Sequence, residues 1–538
     1  MTSKSTRQRL PATILFLLLL IPANNVTFAD DMPAGEIDDV QHLANGIDAL
    51  IAAHWHAAGV SPVNPASDAE FLRRVWLDIA GKIPPAADVQ DFLEESSPDK
   101  RRRVVDELLA GPNYIMNFSN FWRSVLLPET ETNFQIRFML PGFDAWLRNR
   151  LTEDVRYDDL VREILTTRVQ GMNPYDVQNP NPVAFYQAKE TKPENLAAAT
   201  SRMFLGVRIE CAQCHDHPFD NWKRKDFWGY AAFFASMQRA PNNNNGLLGQ
   251  LRELFSRRSL KIPETTETVD ATYLDGQSPQ TGSSLGLRGT LAGWVTSNEN
   301  PYFARTAANR VWGHFFGIGI VDPVDDFSEN NPPSHPELLD LLARELVAHD
   351  FDLKFLMRAV TRSRTYQLTS RRADEVETEV DPSLFARMPL KGLTAEQLYN
   401  SLAQATGLPN AFNPNQSRGG DTPRRTFEEA FADSHSAPTE RQKSVLQALE
   451  MMNGKIVGDA TGLERSIALT AIADYPLFDT RQKIESLFLA ALSRKPQAGE
   501  RERFIAYVDS GGAQHDSRQA LSDVFWALLN SNEFSVNH

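Results

Sequence analysis

Along most of this 538-residue chain the apolar residues recur every three or four positions, a spacing that forms one stripe of a helix and scatters over both faces of a strand. Between 37 and 58, Val40, Leu43, Ile47, Leu50 and Ile51 share a face. Phe71, Val75, Leu77 and Ile79 open a second helix after a start signal at Ser67 and Asp68. Helices are expected over 86–93 and 100–109, parted by the cap-bearing loop Ser96-Ser97-Pro98-Asp99, and again over 118–126, 143–151, 157–165 and 193–204. In 225–237, Phe227, Tyr230, Phe233 and Phe234 again step by three and four. Further helices follow over 285–295, 303–316, 336–347 and 353–363, with four or five more between 440 and 534; Ser334 with Glu337 three residues on reads as a capping box. The expected fold class is all-α and multi-helix. Two helical domains, 36–238 and 285–535, are joined at 239–284 by an irregular linker or small β-containing insertion, where the chain turns polar and rich in Asn, Thr and Gly. No helical repeat period is present, which argues against a solenoid.

The N-terminus suggests where the chain works. Lys4, Arg7 and Arg9 precede an apolar run over 12–21, and Thr27-Phe28-Ala29 offers the small residues a signal peptidase reads, so residues 1–29 are expected to be a removed secretory signal. The alternative is an uncleaved N-terminal anchor. The run is shorter than the ~20 residues a bilayer-spanning helix needs, so no transmembrane span is expected in the mature chain. Either reading places the bulk of the protein outside the cytoplasm, periplasmic or extracellular. The net charge of −14 argues against a nucleic-acid partner, because phosphate binders cluster Lys and Arg.

In an exported protein the cysteine pattern acquires a definite meaning. The chain has only two cysteines, and they stand three apart with a histidine next: Cys211-Ala212-Gln213-Cys214-His215. That is the spacing of covalent haem c attachment, with Cys211 and Cys214 forming the thioethers and His215 the proximal iron ligand. Three other readings stay open at this point: a local Cys211–Cys214 disulfide, a thioredoxin-like redox pair, and a metal site of Cys211, Cys214, His215 and His217. Asp216, His217 and Asp220 are supporting candidates, either as hydrogen-bond partners of an imidazole or as caps of the turn at Pro218. Met203, Met237, His54, His56 and His314 are candidates for a distal iron ligand.

Longer motifs add a family resemblance. Phe71-Leu72-Arg73-Arg74-Val75-Trp76-Leu77-Asp78-Ile79-Ala80-Gly81-Lys82-Ile83-Pro84, and Cys211 to Asp220 with Trp222, resemble the planctomycete cytochrome-C-like domain of unknown function, over residues about 45–235. Asn300-Pro301-Tyr302-Phe303-Ala304-Arg305, Asn309-Arg310-Val311-Trp312, Asp325-Asp326-Phe327 and Ser334-His335-Pro336-Glu337, with the closing Ala527 to Phe534, resemble its usual partner domain of unknown function, over about 285–535. The resemblance implies a haem-bearing segment followed by a helical one and names no substrate or redox partner.

A second polar set lies in that later segment. Arg305, Asn309 and Arg310, with Asp325, Asp326 and His335, would line a cleft for an anionic or sugar ligand or, alternatively, form a buried ion-pair network fixing the 301–340 helices. No Ser-His-Asp set, phosphate loop or His-Glu-x-x-His element is visible. The leading expectation is therefore an exported c-type haem protein with a redox or electron-transfer role. The alternative is a non-catalytic extracytoplasmic binding or scaffold protein whose cysteines form a local disulfide.

Overall fold

The computed structural model describes residues 34–239, 251–254, 256–279, 286–371, 380–408, 423–432, 438–441 and 444–538; the expected signal over 1–29 lies outside them. Several helices start where a side chain supplies an acceptor for the first-turn N–H groups. Ser67 accepts from Glu70 N (3.3 Å) ahead of Asp68–Val75, and Asp352 from Lys354 N (2.7 Å) ahead of Leu353–Arg362. Reciprocal boxes Thr394/Gln397, Ser444/Gln447 and Asp479/Gln482 open Ala395–Thr406, Val445–Asn453 and Thr480–Leu492. The expected box Ser334/Glu337 does not form. His335 takes the cap position of helix Pro336–Ala348, and Ser334 donates instead to the Ile320 carbonyl (3.1 Å), because the preceding loop folds back and offers that acceptor.

The fold is mainly helical. Strands among the described residues are two or three residues long and form three antiparallel pairs: Met237–Arg239 with Leu251–Glu253, Ser259–Lys261 with Thr268–Asp270, and Lys391–Gly392 with Val536–Asn537. The first two pairs fall in and beside the polar stretch 239–284.

Hydrophobic packing divides the chain elsewhere. One core draws on residues from Val40 to Met388 together with Leu489, so the helices before the polar stretch and those from Gly286–Val295 to Leu353–Arg362 share a single interior. The N-terminal helix Ala34–Ala58 packs directly on Pro336–Ala348 and Leu353–Arg362. A second core is built from residues of 398–534, and Leu77 and Ile83 reach into it from the first half.

Those two residues flank the point where everything meets. Helix Asp68–Val75 runs on as a π-helical turn, Trp76–Ala80, that ends at Gly81 with φ +68°. A widened turn frees carbonyls, and side chains from three other elements take them: Gln397 donates to Leu77 O (3.1 Å), His314 to Asp78 O (2.8 Å) and Asn117 to Asp78 O and Ile79 O (3.0 and 3.2 Å). A Cβ on Gly81 would collide with Asn117, so glycine is needed here for space as well as for its positive φ.

The carboxylate of Asp78 is buried under this turn. It accepts from Lys391 Nζ (2.6 Å), Asn537 Nδ2 (2.7 Å) and Tyr366 Oη (2.8 Å). Lys391 also donates to the Phe315 carbonyl (2.6 Å). Beside it, Arg73 donates to Ala491 O (3.1 Å) and Phe534 O (2.9 Å), and Arg74 to Tyr366 O (2.6 Å) and Glu70 (2.9 Å). One short segment thus holds residues from 315 to 537. Breaking a buried pair by removing one partner leaves the other charge uncompensated. Lys391→Met is therefore expected to cost about 3–5 kcal/mol in urea unfolding, whereas Lys225→Met, which breaks the exposed Lys225–Glu267 pair (3.4 Å), should change stability by less than about 1 kcal/mol.

Candidate functional site

The cysteine loop follows directly from a buried helix. Pro193–Thr200 continues through a π turn, Ser201–Leu205, and stops at Gly206, whose φ is +68°. A Cβ there would meet Phe327 and Thr306 at 2.6 and 2.7 Å, so the later segment closes tightly over this exit. Ile209 and Ala212 are fully buried and pin the 3₁₀ turn Glu210–Gln213 to the core. Trp228 Nε1 clamps it by donating to Gln213 O (3.0 Å). The turn then rotates both sulfurs outward: Cys211 and Cys214 are exposed and unpaired.

The two histidines differ in what they leave free. His215 Nδ1 lies 2.7 Å from the Asp216 carbonyl, which can only accept, so Nδ1 carries the proton and Nε2 keeps an uncommitted lone pair. His217 Nδ1 instead accepts from Phe219 N (3.3 Å), so its lone pair is used within the turn. Asp216 accepts from Arg224 N (2.9 Å) at the start of helix Arg224–Ala231, and Asp220 from Asn221 N (2.7 Å). Both carboxylates serve the turn's backbone. Asn330 donates to Phe219 O from the later segment, while the Phe219 ring is 79 % exposed beside the loop.

Among the described residues no cluster of three or more His, Cys, Asp or Glu side chains could hold a metal ion, so Cys211, Cys214, His215 and His217 are not gathered around one centre. Haem is a different test. Its attachment asks for two reactive sulfurs and one imidazole lone pair, and the residues present fit that donor set. Enclosure is another matter, because Cys211, Cys214 and His215 all lie at the surface. The aromatic stripe of Phe227, Tyr230, Phe233 and Phe234 is core. The distal candidates are placed as follows. Met203 and Met237 are buried, His56 is exposed, and the His54 ring lies tilted against His335 with centroids 4.0 Å apart. His314 is packed on Phe118 and Phe121 and bonded to Asp78.

With this geometry in view, the comparisons with known proteins are informative about order and silent on activity. Residues 46–239 match the family model PSCyt2, described as a protein of unknown function (DUF1549). Residues 287–424 match PSD1, likewise described as a protein of unknown function (DUF1553). The chain carries a PSCyt2 segment followed by a PSD1 segment. No curated protein and no solved structure matches it. Among the described residues no helix is long and apolar enough to cross a membrane.

The second polar set lies in the PSD1 segment, and the structure distributes it over four places. Asn309 is fully buried and latches loop 320–324: its amide donates to Val321 O (2.8 Å), and its oxygen accepts from Ile320 N (2.7 Å) and Val321 N (3.0 Å). Asp325 reaches back to the PSCyt2 segment, accepting from Arg202 and Arg208 at 2.6 Å each, with Asp326 also 3.4 Å from Arg208. Burial opposes ionisation of Asp325, but the two arginines outweigh it and hold its carboxyl below the ordinary range. Arg310 is buried and donates to Met203 O (2.6 Å), while Arg305 pairs with Asp340 at the surface (2.5 Å). His335 sits apart, against His54. The Arg202/Arg208–Asp325 tie and the Asp78 cluster escaped sequence reasoning; the one available signal was the run of charged residues inside an apolar helix, Glu70, Arg73, Arg74 and Asp78.

Two outcomes follow. Asn309→Ala strands the Ile320 and Val321 N–H groups and should destabilise by roughly 3 kcal/mol in chemical denaturation. Burial, then the neighbouring His54, lower the His335 pKa from 6.5 to about 4, against the opposing pull of Glu337 and Asp381. The unfolded chain therefore takes up this proton at higher pH than the folded one. Stability from the neutral ring is intact above about pH 6.5 and is lost as pH falls toward 4. Thermal midpoints should fall less steeply across that window in His335→Phe than in the unaltered protein.

Proposed function

We propose that the protein is an exported c-type haem protein with a redox role, Cys211 and Cys214 carrying the thioether links and His215 serving as proximal ligand. The observation that carries this reading is the pairing of two exposed, unpaired thiols on one turn with an imidazole whose Nδ1 proton is held by a carbonyl and whose Nε2 is free. A carbonyl partner on Nδ1 fixes the ring's tautomer and orientation, as iron-binding histidines require. When bound, haem supplies a one-electron iron couple. The chain's own contribution is to present the anchor on a turn clamped by Trp228 and capped by Asp216. Export supports the same reading, since bare neighbouring thiols outside the cytoplasm would otherwise oxidise to a disulfide. Surface placement of all three residues suits exchange of electrons with an external partner.

The second reading keeps the thiols and discards the iron: a local Cys211–Cys214 disulfide in a binding or scaffold protein. Mass spectrometry and pyridine haemochrome spectra of protein exported with cytochrome c maturation machinery separate the two. The proposal expects a mass excess of one haem, a thioether-type α-band, and loss of both in the Cys211→Ser/Cys214→Ser variant. Colourless protein two hydrogens lighter than the reduced chain would establish the disulfide instead.

A further inference from the structure

Far along the chain from the cysteine loop, a cleft of about 370 Å³ opens between helices Asp68–Val75, Ala86–Glu94 and Lys100–Ala110, a volume within the range of small-molecule sites. Leu72 and Trp76, one turn apart, make its apolar floor with Leu108. Trp76 is 8 % exposed, and its indole N–H meets no acceptor among the described residues. A buried donor without a partner is costly, so this one marks a place where an acceptor from outside the protein is wanted.

The rest of the lining decides what kind of molecule brings that acceptor. An ammonium has no lone pair to offer Trp76, and the Phe92 face is already covered by Lys100, whose Nζ lies 4.8 Å from the ring centre. An anion would meet the carboxylates of Asp88, Asp91, Glu95 and Glu107, of which Arg103 pairs only with Glu95 and, at 3.6 Å, with Glu107. Asp88 and Asp91 form no ion pair within 4 Å among the described residues, so their oxygens remain open to a neutral donor. Burial, then the like charge of Asp91, hold the Asp88 carboxyl above its ordinary range, which makes it a stronger acceptor for such a donor. Asn113, half-buried in the same lining, spends its amide on no partner among the described residues. An uncharged molecule whose groups both donate and accept satisfies the whole set. Hydroxyls on adjacent carbons do so, and a pyranose ring adds an apolar face for the floor.

We propose that this cleft binds a neutral hexose, one hydroxyl oxygen accepting from Trp76 Nε1, neighbouring hydroxyls donating to Asp88 and Asp91, and the C–H face of the ring resting on Leu72 and Leu108. Two sources share that chemistry, a free sugar and the terminal residue of a glycan. Neither depends on haem attachment. Saturation-transfer NMR followed by titration calorimetry of the full chain with glucose, galactose and mannose tests it, the matching amino sugars and uronic acids serving as charged controls and the β-linked trisaccharides as glycan ends. Saturable binding of at least one neutral hexose is expected, weaker or absent for its charged controls. It should fall about tenfold or more in Asp88→Asn/Asp91→Asn and in Trp76→Phe, which keeps a ring and removes the donor. A trisaccharide bound more weakly than its hexose, or not at all, assigns the site to free sugars; one bound at least as tightly assigns it to a glycan end. Asn113→Ala leaves the packed floor intact, should weaken binding about threefold, and decides the matter if Trp76→Phe unfolds. No saturable binding of any of the three hexoses, tighter binding of an amino sugar or uronic acid, or undiminished binding in the folded variants overturns the proposal.

Discussion

A carboxylate buried beneath a widened helical turn organises this protein. Asp78 is 2 % exposed, and the three groups that satisfy it come from residues 366, 391 and 537, so its ionised form is tolerable only when distant parts of the chain have arrived. Burial alone would favour neutral Lys391, and the carboxylate beside it counters that tendency. The same helix sends Arg73 into the C-terminal core and Arg74 to the Tyr366 carbonyl. A pair of this kind contributes little net stability, but each partner alone is costly, so it specifies one arrangement of the two cores over others.

That constraint reaches the cysteine loop through the shared first core. The PSCyt2 and PSD1 segments are distinct in sequence, yet the hydrophobic interior runs through both, and the exit of the cysteine-bearing segment at Gly206 is closed by Thr306 and Phe327. Arg202 and Arg208 bind Asp325 across the same junction. The loop is therefore rigidly based and outwardly directed: buried Ile209 and Ala212 below, exposed sulfurs above. Such a turn leaves the thiols accessible and the imidazole held by its carbonyl.

Much of the helical content was legible locally. The stripe Val40, Leu43, Ile47 and Ile51 is buried as its spacing requires, and Ser67 caps the next helix. The failed capping box at Ser334 shows the limit: a loop from fourteen residues upstream offered Ser334 a better partner than its own helix. Composition marked 239–284 as polar, and short hairpins occupy its described part, but a polar connection says nothing about whether the helices it joins share a core.

The sequence by itself determined most of the helices and the spacing of Cys211, Cys214 and His215, because periodicity, caps and ligand spacing act over a few residues. Only the tertiary structure decided that Asp78 is met by Tyr366, Lys391 and Asn537, and that His217 spends an imidazole lone pair inside the turn while His215 does not. Those facts rest on which distant groups come within hydrogen-bond reach. Local propensity carries no information about that, since burial and pairing are properties of the assembled chain.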